Sequence, residues 1–195
     1  MYKTIISIYL LLMNLQLITG QTSTKEDSLN INGIFRKFIF VQPTNNVKKL
    51  SVVFVLHGSN GNGNQMLARV PSLAKASSSE GFIAVFPSGY KNFWNECRKS
   101  SPAEANQIDV DEQAFFQSMI NYFVDKYHAE RKNVFVIGTS GGGHMAYKLA
   151  MTMPDRFRAV SAIIANLPDS TNFDCIALNK PVNIMITNGT LDKTN

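Results

Sequence analysis

The amino-acid sequence predicts an α/β fold, with a mostly parallel central sheet and helices on both of its faces. Three observations carry that expectation. Short apolar runs alternate with longer segments whose apolar residues recur every three or four positions, the pattern of strands joined by crossover helices. Several runs are apolar throughout rather than alternating, as suits strands buried on both faces. One of them passes through a glycine-flanked serine directly into a helical segment. At 195 residues and 45% hydrophobic composition the chain can bury one substantial core, so a single domain is expected.

Residues 1–20 have the layout of a secretory signal peptide: Lys3, the apolar stretch Thr4 to Ile18, then the small residues Thr19 and Gly20, with cleavage expected after Gly20. Asn14 and Gln16 interrupt the stretch, which falls short of the about 20 apolar residues of a bilayer-spanning helix. A secreted or periplasmic protein with no membrane attachment after cleavage is therefore expected, an uncleaved anchor being the alternative. Residues 21–32 are polar and without period and are expected to form a disordered leader, with the domain occupying 33–195.

Phe35 to Val41 is rich in aromatic and β-branched residues and reads as an early strand. Leu50 to Leu56 is a continuous apolar run, hence a central strand, and it ends in His57-Gly58-Ser59 and a Gly/Asn-rich loop to Asn64. Gln65 to Ser78 reads as a helix with a possible kink at Pro71, Phe82 to Phe86 as a strand, and residues 87–107 as a long turn-rich loop holding the single tryptophan, Trp94. A helix is expected from about Val110 to Tyr127, with apolar residues at Phe115, Phe116, Met119, Ile120, Phe123 and Val124, spaced three to four apart. Then follow a strand over Asn133 to Ile137, a helix over Gly141 to Met153 stopped by Pro154, and strands over Ala159 to Ile164 and Val182 to Thr187.

The balance of 19 Lys and Arg against 14 Asp and Glu gives a net charge of +5, but the charges are scattered, so no nucleic-acid partner is expected. Cys97 and Cys175 are the two cysteines, and export favours pairing them, separate buried thiols being the alternative. They form no metal-ligand pair and the three histidines are far apart in sequence, so no metal is expected.

The chemistry concentrates at Gly138-Thr139-Ser140-Gly141-Gly142, between a strand and a helix. A serine at the tip of such a turn adopts a strained backbone, and its flanking residues must be small for strand and helix to approach. Ser140 is thus the candidate nucleophile, near a helix N-terminus whose N–H groups can stabilise an oxyanion, with Gly141 one donor. A phosphate loop would need Lys where the chain has His144, and a dinucleotide fingerprint lacks an acidic residue at Ala165-Asn166, so no cofactor is expected. Ser59 is the candidate second oxyanion donor and Asp192, after the last strand, the candidate triad acid, with Asp169 and Asp174 as fallback. His57 is read as structural, His128 as a helix-end residue, and His144 as facing along its helix rather than toward Ser140.

Leu56-His-Gly-Ser-Asn-Gly-Asn, Phe86-Pro-Ser-Gly with Trp94-Asn95, Gly138-Thr-Ser-Gly-Gly-Gly-His-Met-Ala-Tyr-Lys-Leu-Ala150 and Asn188-Gly-Thr-Leu-Asp192 resemble the secreted polyhydroxybutyrate depolymerase and feruloyl esterase-like family over residues 35–192. The resemblance implies the α/β-hydrolase fold and ester hydrolysis through an acyl-enzyme at Ser140, with Asp192 as acid and Gly141 and Ser59 as oxyanion hole. The implied substrates are hydroxyalkanoate polyesters or feruloyl and acetyl esters of plant polysaccharide. It places Trp94 near the substrate mouth, a buried packing anchor being the alternative. Asn188 stands where the family usually has a histidine. The family's catalytic histidine and its final strand and helix follow the acid, beyond Asn195, so the domain is expected to be C-terminally incomplete. A base-lacking relative that binds carbohydrate or polyester without cleaving it is the alternative function.

Overall fold

The computed structural model describes residues 23–43 and 49–192. The expected signal peptide and its cleavage site lie outside the described residues. Seven strands form one sheet: β1 (Ser23–Ile31), β2 (Ile34–Gln42), β3 (Leu50–Leu56), β4 (Phe82–Pro87), β5 (Ala129–Thr139), β6 (Ala159–Ile163) and β7 (Ile184–Thr187), in the order β1-β2-β4-β3-β5-β6-β7. The pairs β4-β3, β3-β5, β5-β6 and β6-β7 are parallel, whereas β1 and β2 add an antiparallel hairpin at one edge. Among the described residues five α-helices flank the sheet, α1 (Gly63–Arg69), α2 (Pro71–Glu80), α3 (Glu104–Gln107), α4 (Glu112–Tyr127) and α5 (Gly141–Thr152), with a 3-10 turn at Pro154–Arg156.

Two expectations need correction here. Residues 23–31 are not a disordered leader but β1, in full register with β2 from Ser23 opposite Gln42 to Ile31 opposite Ile34. The turn is Asn32-Gly33, both at positive φ (51° and 87°), the dipeptide that suits a two-residue hairpin loop. The strand is polar because much of it faces solvent at the sheet edge, while Ile31 points into the core and the Tyr122 hydroxyl donates to Asp27 at 2.6 Å. Residues 65–78 do not make one kinked helix. Pro71 lacks an N–H and starts a new helix, so α1 ends at Arg69 and α2 begins.

Alternation along the strands distributes the core to both faces. Phe38 and Phe40 of β2, Val52, Phe54 and Leu56 of β3 and Ile83 and Val85 of β4 meet Phe115, Phe116, Met119, Ile120 and Phe123 of α4 and Met145 and Leu149 of α5. The intervening Val41, Val55, Ala84 and Phe86 meet Met66, Leu67 and Leu73 of α1 and α2 on the other face.

The loop after β4 is held by buried polar groups rather than by regular structure. Glu112, at the start of α4, is fully buried; it accepts from Arg36 Nη2 at 2.9 Å and from the Asn95 backbone N–H at 3.2 Å. Trp94 is 2% exposed, stacks on His57 with ring centroids 4.7 Å apart, and donates Nε1–H to the His57 carbonyl at 2.9 Å. It therefore anchors the loop after β3 from below and does not line a substrate mouth. A large apolar ring with one donor is satisfied by this burial. His57 Nε2 accepts the Gly89 N–H at 2.9 Å, which places the ring proton on Nδ1, 2.7 Å from the Gly58 carbonyl.

Cys97 and Cys175 are joined in a disulfide with a Cα separation of 5.1 Å. Around it the Lys99 N–H donates to the Asn172 carbonyl at 3.0 Å and the Asp174 N–H to the Cys97 carbonyl at 3.2 Å. The loop after β4 is thus stitched to the segment between β6 and β7.

Two measurements follow from these contacts. The disulfide closes a sequence separation of 78 residues, so Cys97→Ser with Cys175→Ser is expected to cost about 4 kcal/mol of unfolding free energy in urea; a loss below about 1 kcal/mol would contradict a stitching role. Burial, helped by the charge of Arg36, holds the His57 imidazolium down at about 4 against an ordinary 6.5. The unfolded chain therefore binds the extra proton first, and stability is expected to fall as pH drops from 6.5 toward 4, by on the order of 2–3 kcal/mol from this group. Urea titrations across that range should show a shallower slope in His57→Gln than in the native chain, and equal slopes would rule the effect out.

Candidate active site

β5 ends at Thr139 and α5 begins at Gly141, leaving Ser140 alone between them. Its backbone sits at φ 54° and ψ −122°, a region costly for any residue with a Cβ and kept only where the surroundings enforce it. Here they do. The Ser140 N–H donates to the Ile163 carbonyl of β6 at 2.9 Å, and its carbonyl accepts from Gly143 and His144 at 2.7 and 3.0 Å as α5 starts. The turn is so tight that a Cβ on Gly138 would lie 2.0 Å from the Gly142 carbonyl oxygen. A Cβ on Gly142 would lie 2.6 Å from the carbonyl oxygens of both Leu56 and His57. Both positions accept glycine alone, as the strand-turn-helix pattern requires.

The loop after β3 rests directly on this turn. A Cβ on Gly141 would meet the Ser59 backbone nitrogen at 2.8 Å and its Oγ at 2.5 Å, and one on Gly58 would meet Ser140 Cβ at 3.4 Å and Oγ at 3.9 Å. The structure brings Ser59, Gly141 and Ser140 together. The Gly141 N–H belongs to the first turn of α5, where backbone donors have no intrahelical acceptor. With the helix dipole behind it, such a donor can stabilise negative charge on an oxygen bound at Ser140.

Asp192 follows the carboxyl end of β7, as Ser140 follows β5 and Ser59 follows β3, so all three lie along one edge of the parallel sheet. Asp192 is partly buried and its N–H donates to the Gly189 carbonyl at 3.1 Å. Asn188 ties that turn to the segment that follows β6: its Oδ1 accepts the Ala165 N–H at 3.1 Å and its Nδ2 donates to Asn166 Oδ1 at 2.6 Å. Of the fallback acids, Asp169 is engaged in its own turn, accepting from Thr171 and Asn172, bonds that lower its pKa. Asp174 sits beside the disulfide, in which the sulfurs of Cys97 and Cys175 are committed to each other.

Neither His57 nor His128 is set to take a proton from Ser140. Both ring nitrogens of His57 are engaged with backbone groups. His128 adopts φ 56° as the C-cap of α4. His144 follows Ser140 by one helical turn, its Nδ1 is buried with no hydrogen-bond partner, and burial, then the charge of Arg98, holds its imidazolium down at about 4.

The site has a wall that the sequence pattern did not indicate. The loop carrying Lys91, Phe93 and Arg98 encloses, together with Ser59, a cleft of about 370 Å³ beside the turn. The loop is aperiodic, and the cue available in the sequence was the neighbouring Cys97.

Comparison with known proteins agrees with this geometry. The chain is 32% identical over 129 residues to feruloyl esterase B of Neurospora crassa, covering 65% of this chain and 42% of that protein. It is 29% identical over 147 residues to the acetylxylan esterase of Coprinopsis cinerea, covering 73% and 37% respectively. The chain thus spans about two fifths of the length of these relatives. The solved structure of FphF, a fluorophosphonate-binding serine hydrolase of Staphylococcus aureus, shares the fold with a TM-score of 0.57 at 17% identity, covering 74% of this chain and 57% of that one. Residues 33–193 match the family described as "Putative esterase". With its strained serine at the tip of β5, the chain belongs to that esterase family.

Proposed function

We propose that the protein is a secreted carboxylic-ester hydrolase that works through an acyl-enzyme at Ser140. The observation that carries this is the strained Ser140 backbone held against Ser59 and Gly141. A residue kept at such cost with oxyanion donors beside it is arranged for nucleophilic attack. Ser140 Oγ adds to the ester carbonyl carbon, and the Gly141 and Ser59 N–H groups receive the negative charge that forms on the carbonyl oxygen. Collapse expels the alcohol and leaves Ser140 acylated; water then releases the acid. Asp192, at the carboxyl edge of the sheet, is placed to orient the base that accepts the Ser140 proton and later gives it to the leaving alcohol. The Cys97–Cys175 bridge supports an oxidising compartment and hence export.

The substrates we favour are feruloyl or acetyl esters of plant polysaccharide, since the relatives named feruloyl esterase and acetylxylan esterase match most of the chain. Hydroxyalkanoate polyesters use the same chemistry. The engagement of His57 with backbone groups and the capping role of His128 leave a second reading, a non-catalytic binder of the same carbohydrates or polyesters.

The full-length gene product is expected to hydrolyse p-nitrophenyl acetate and to lose roughly a thousandfold or more of that activity in Ser140→Ala. A fluorophosphonate probe should label it at Ser140, and the 195-residue chain should hydrolyse the ester slowly. Hydrolysis undiminished in Ser140→Ala would overturn the assignment, and absence of both labelling and hydrolysis would favour the non-catalytic binder.

A further inference from the structure

The cleft beside Ser59 contains an arginine held in an unusual way. Arg98 Nε donates to Glu96 Oε1 at 2.7 Å, and its backbone N–H donates to Glu96 Oε2 at 3.0 Å, so a single carboxylate grips it at two points. Glu96 is 3% exposed and cannot swing away, whereas the Arg98 side chain is 36% exposed. The residue is fixed from behind as well: Cys97 beside it carries the disulfide, and Arg98 itself bridges Phe173 in an antiparallel pair. The ion pair engages Nε, so the two terminal Nη groups are not consumed by it. The other cation in the cleft, Lys91, is matched by Glu104, whose two oxygens both lie 2.7 Å from its Nζ. The remaining walls include Phe93 and Pro102, which are apolar.

The charge of Arg98 reaches His144, one turn beyond Ser140, where after burial it is the second cause that disfavours the imidazolium. An immobilised guanidinium with a free bidentate fork, opening on a cleft whose one carboxylate, Glu104, is taken up by Lys91 and whose other walls include Phe93, Pro102 and Ala103, next to an oxyanion donor, has the form of a carboxylate receptor. Resting on the assignment of Ser140 as nucleophile, we propose that Arg98 is a specificity-determining residue, and that the preferred substrate is an ester carrying a carboxylate within reach of the reacting carbonyl, as an ester on an acidic sugar would. Glu96 and the Cys97–Cys175 bridge position it.

The test uses the full-length protein and two matched substrate pairs, one with the carboxylate on the acyl side and one with it on the alcohol side. These are the p-nitrophenyl monoester of glutaric acid against p-nitrophenyl acetate, and 4-acetoxybenzoate against phenyl acetate. In at least one pair kcat/KM should favour the acidic ester. That ratio should fall roughly tenfold to a hundredfold in Arg98→Ala and less in Arg98→Lys, which keeps the charge but not the fork. Fluorophosphonate labelling at Ser140 in both variants reports that the fold is intact. A native enzyme that hydrolyses the esters with no preference for the acid in either pair, or a preference that survives Arg98→Ala, overturns the proposal while leaving Ser140 in place. Loss of neither hydrolysis nor labelling in Ser140→Ala overturns both.

Discussion

The contact on which the site depends is the approach of the Gly142 backbone to the carbonyls of Leu56 and His57. It locks three pieces of chain at once: the end of β3, the turn after β5 and the start of α5. A single methyl group at Gly142, 2.6 Å from both oxygens, would force these apart. Because β3 and β5 are adjacent and parallel, with Leu56 opposite Gly138, their carboxyl ends arrive side by side. The loop carrying Ser59 and the turn carrying Ser140 are therefore neighbours by register, and the strain at Ser140 is carried by the sheet rather than by local hydrogen bonds alone.

Beneath that contact lies a second layer of polar groups that irregular backbone requires. The loop after β4 offers few ladder hydrogen bonds, yet it passes through the interior, so its donors need partners. Glu112 supplies one to Asn95, His57 supplies one to Gly89, and Lys148 of α5 donates to the Asn95 carbonyl at 2.8 Å. Burial depresses the pKa of Lys148 and raises that of Glu112, the usual expense of placing ionisable groups where backbone must be satisfied. The arrangement connects the floor of the site to α4, α5 and β2, through Arg36, without a regular element in between.

Much of this was legible in the sequence because it rests on hydrophobic period. The uniform run Leu50 to Leu56 matches β3 end to end, and the apolar stripe of α4 appears on the core face as expected. The serine turn was legible for a different reason: glycine at 138 and 142 records a close approach of backbone directly in the composition. What escaped was structure specified by pairing or by polar contacts. β1 carries its information in cross-strand register and in Asn32-Gly33, not in an apolar pattern. Trp94 was ambiguous because its role depends on which carbonyl its Nε1 reaches, and Arg98 was silent because a clamped guanidinium reads the same in sequence as a solvated one.

At the far side of the sheet, β7 presents a contrasting situation. Ile184, Met185 and Ile186 are 40%, 60% and 54% exposed, and β7 has β6 as its one neighbour among the described residues. Its outer row of amide and carbonyl groups, flanked by apolar side chains on both faces and without Lys or Pro within the strand to blunt it, is a template for pairing with other chains. Such an edge suits the addition of a further strand, so four residues remote from Ser140 carry a capacity for pairing that is separate from the chemistry.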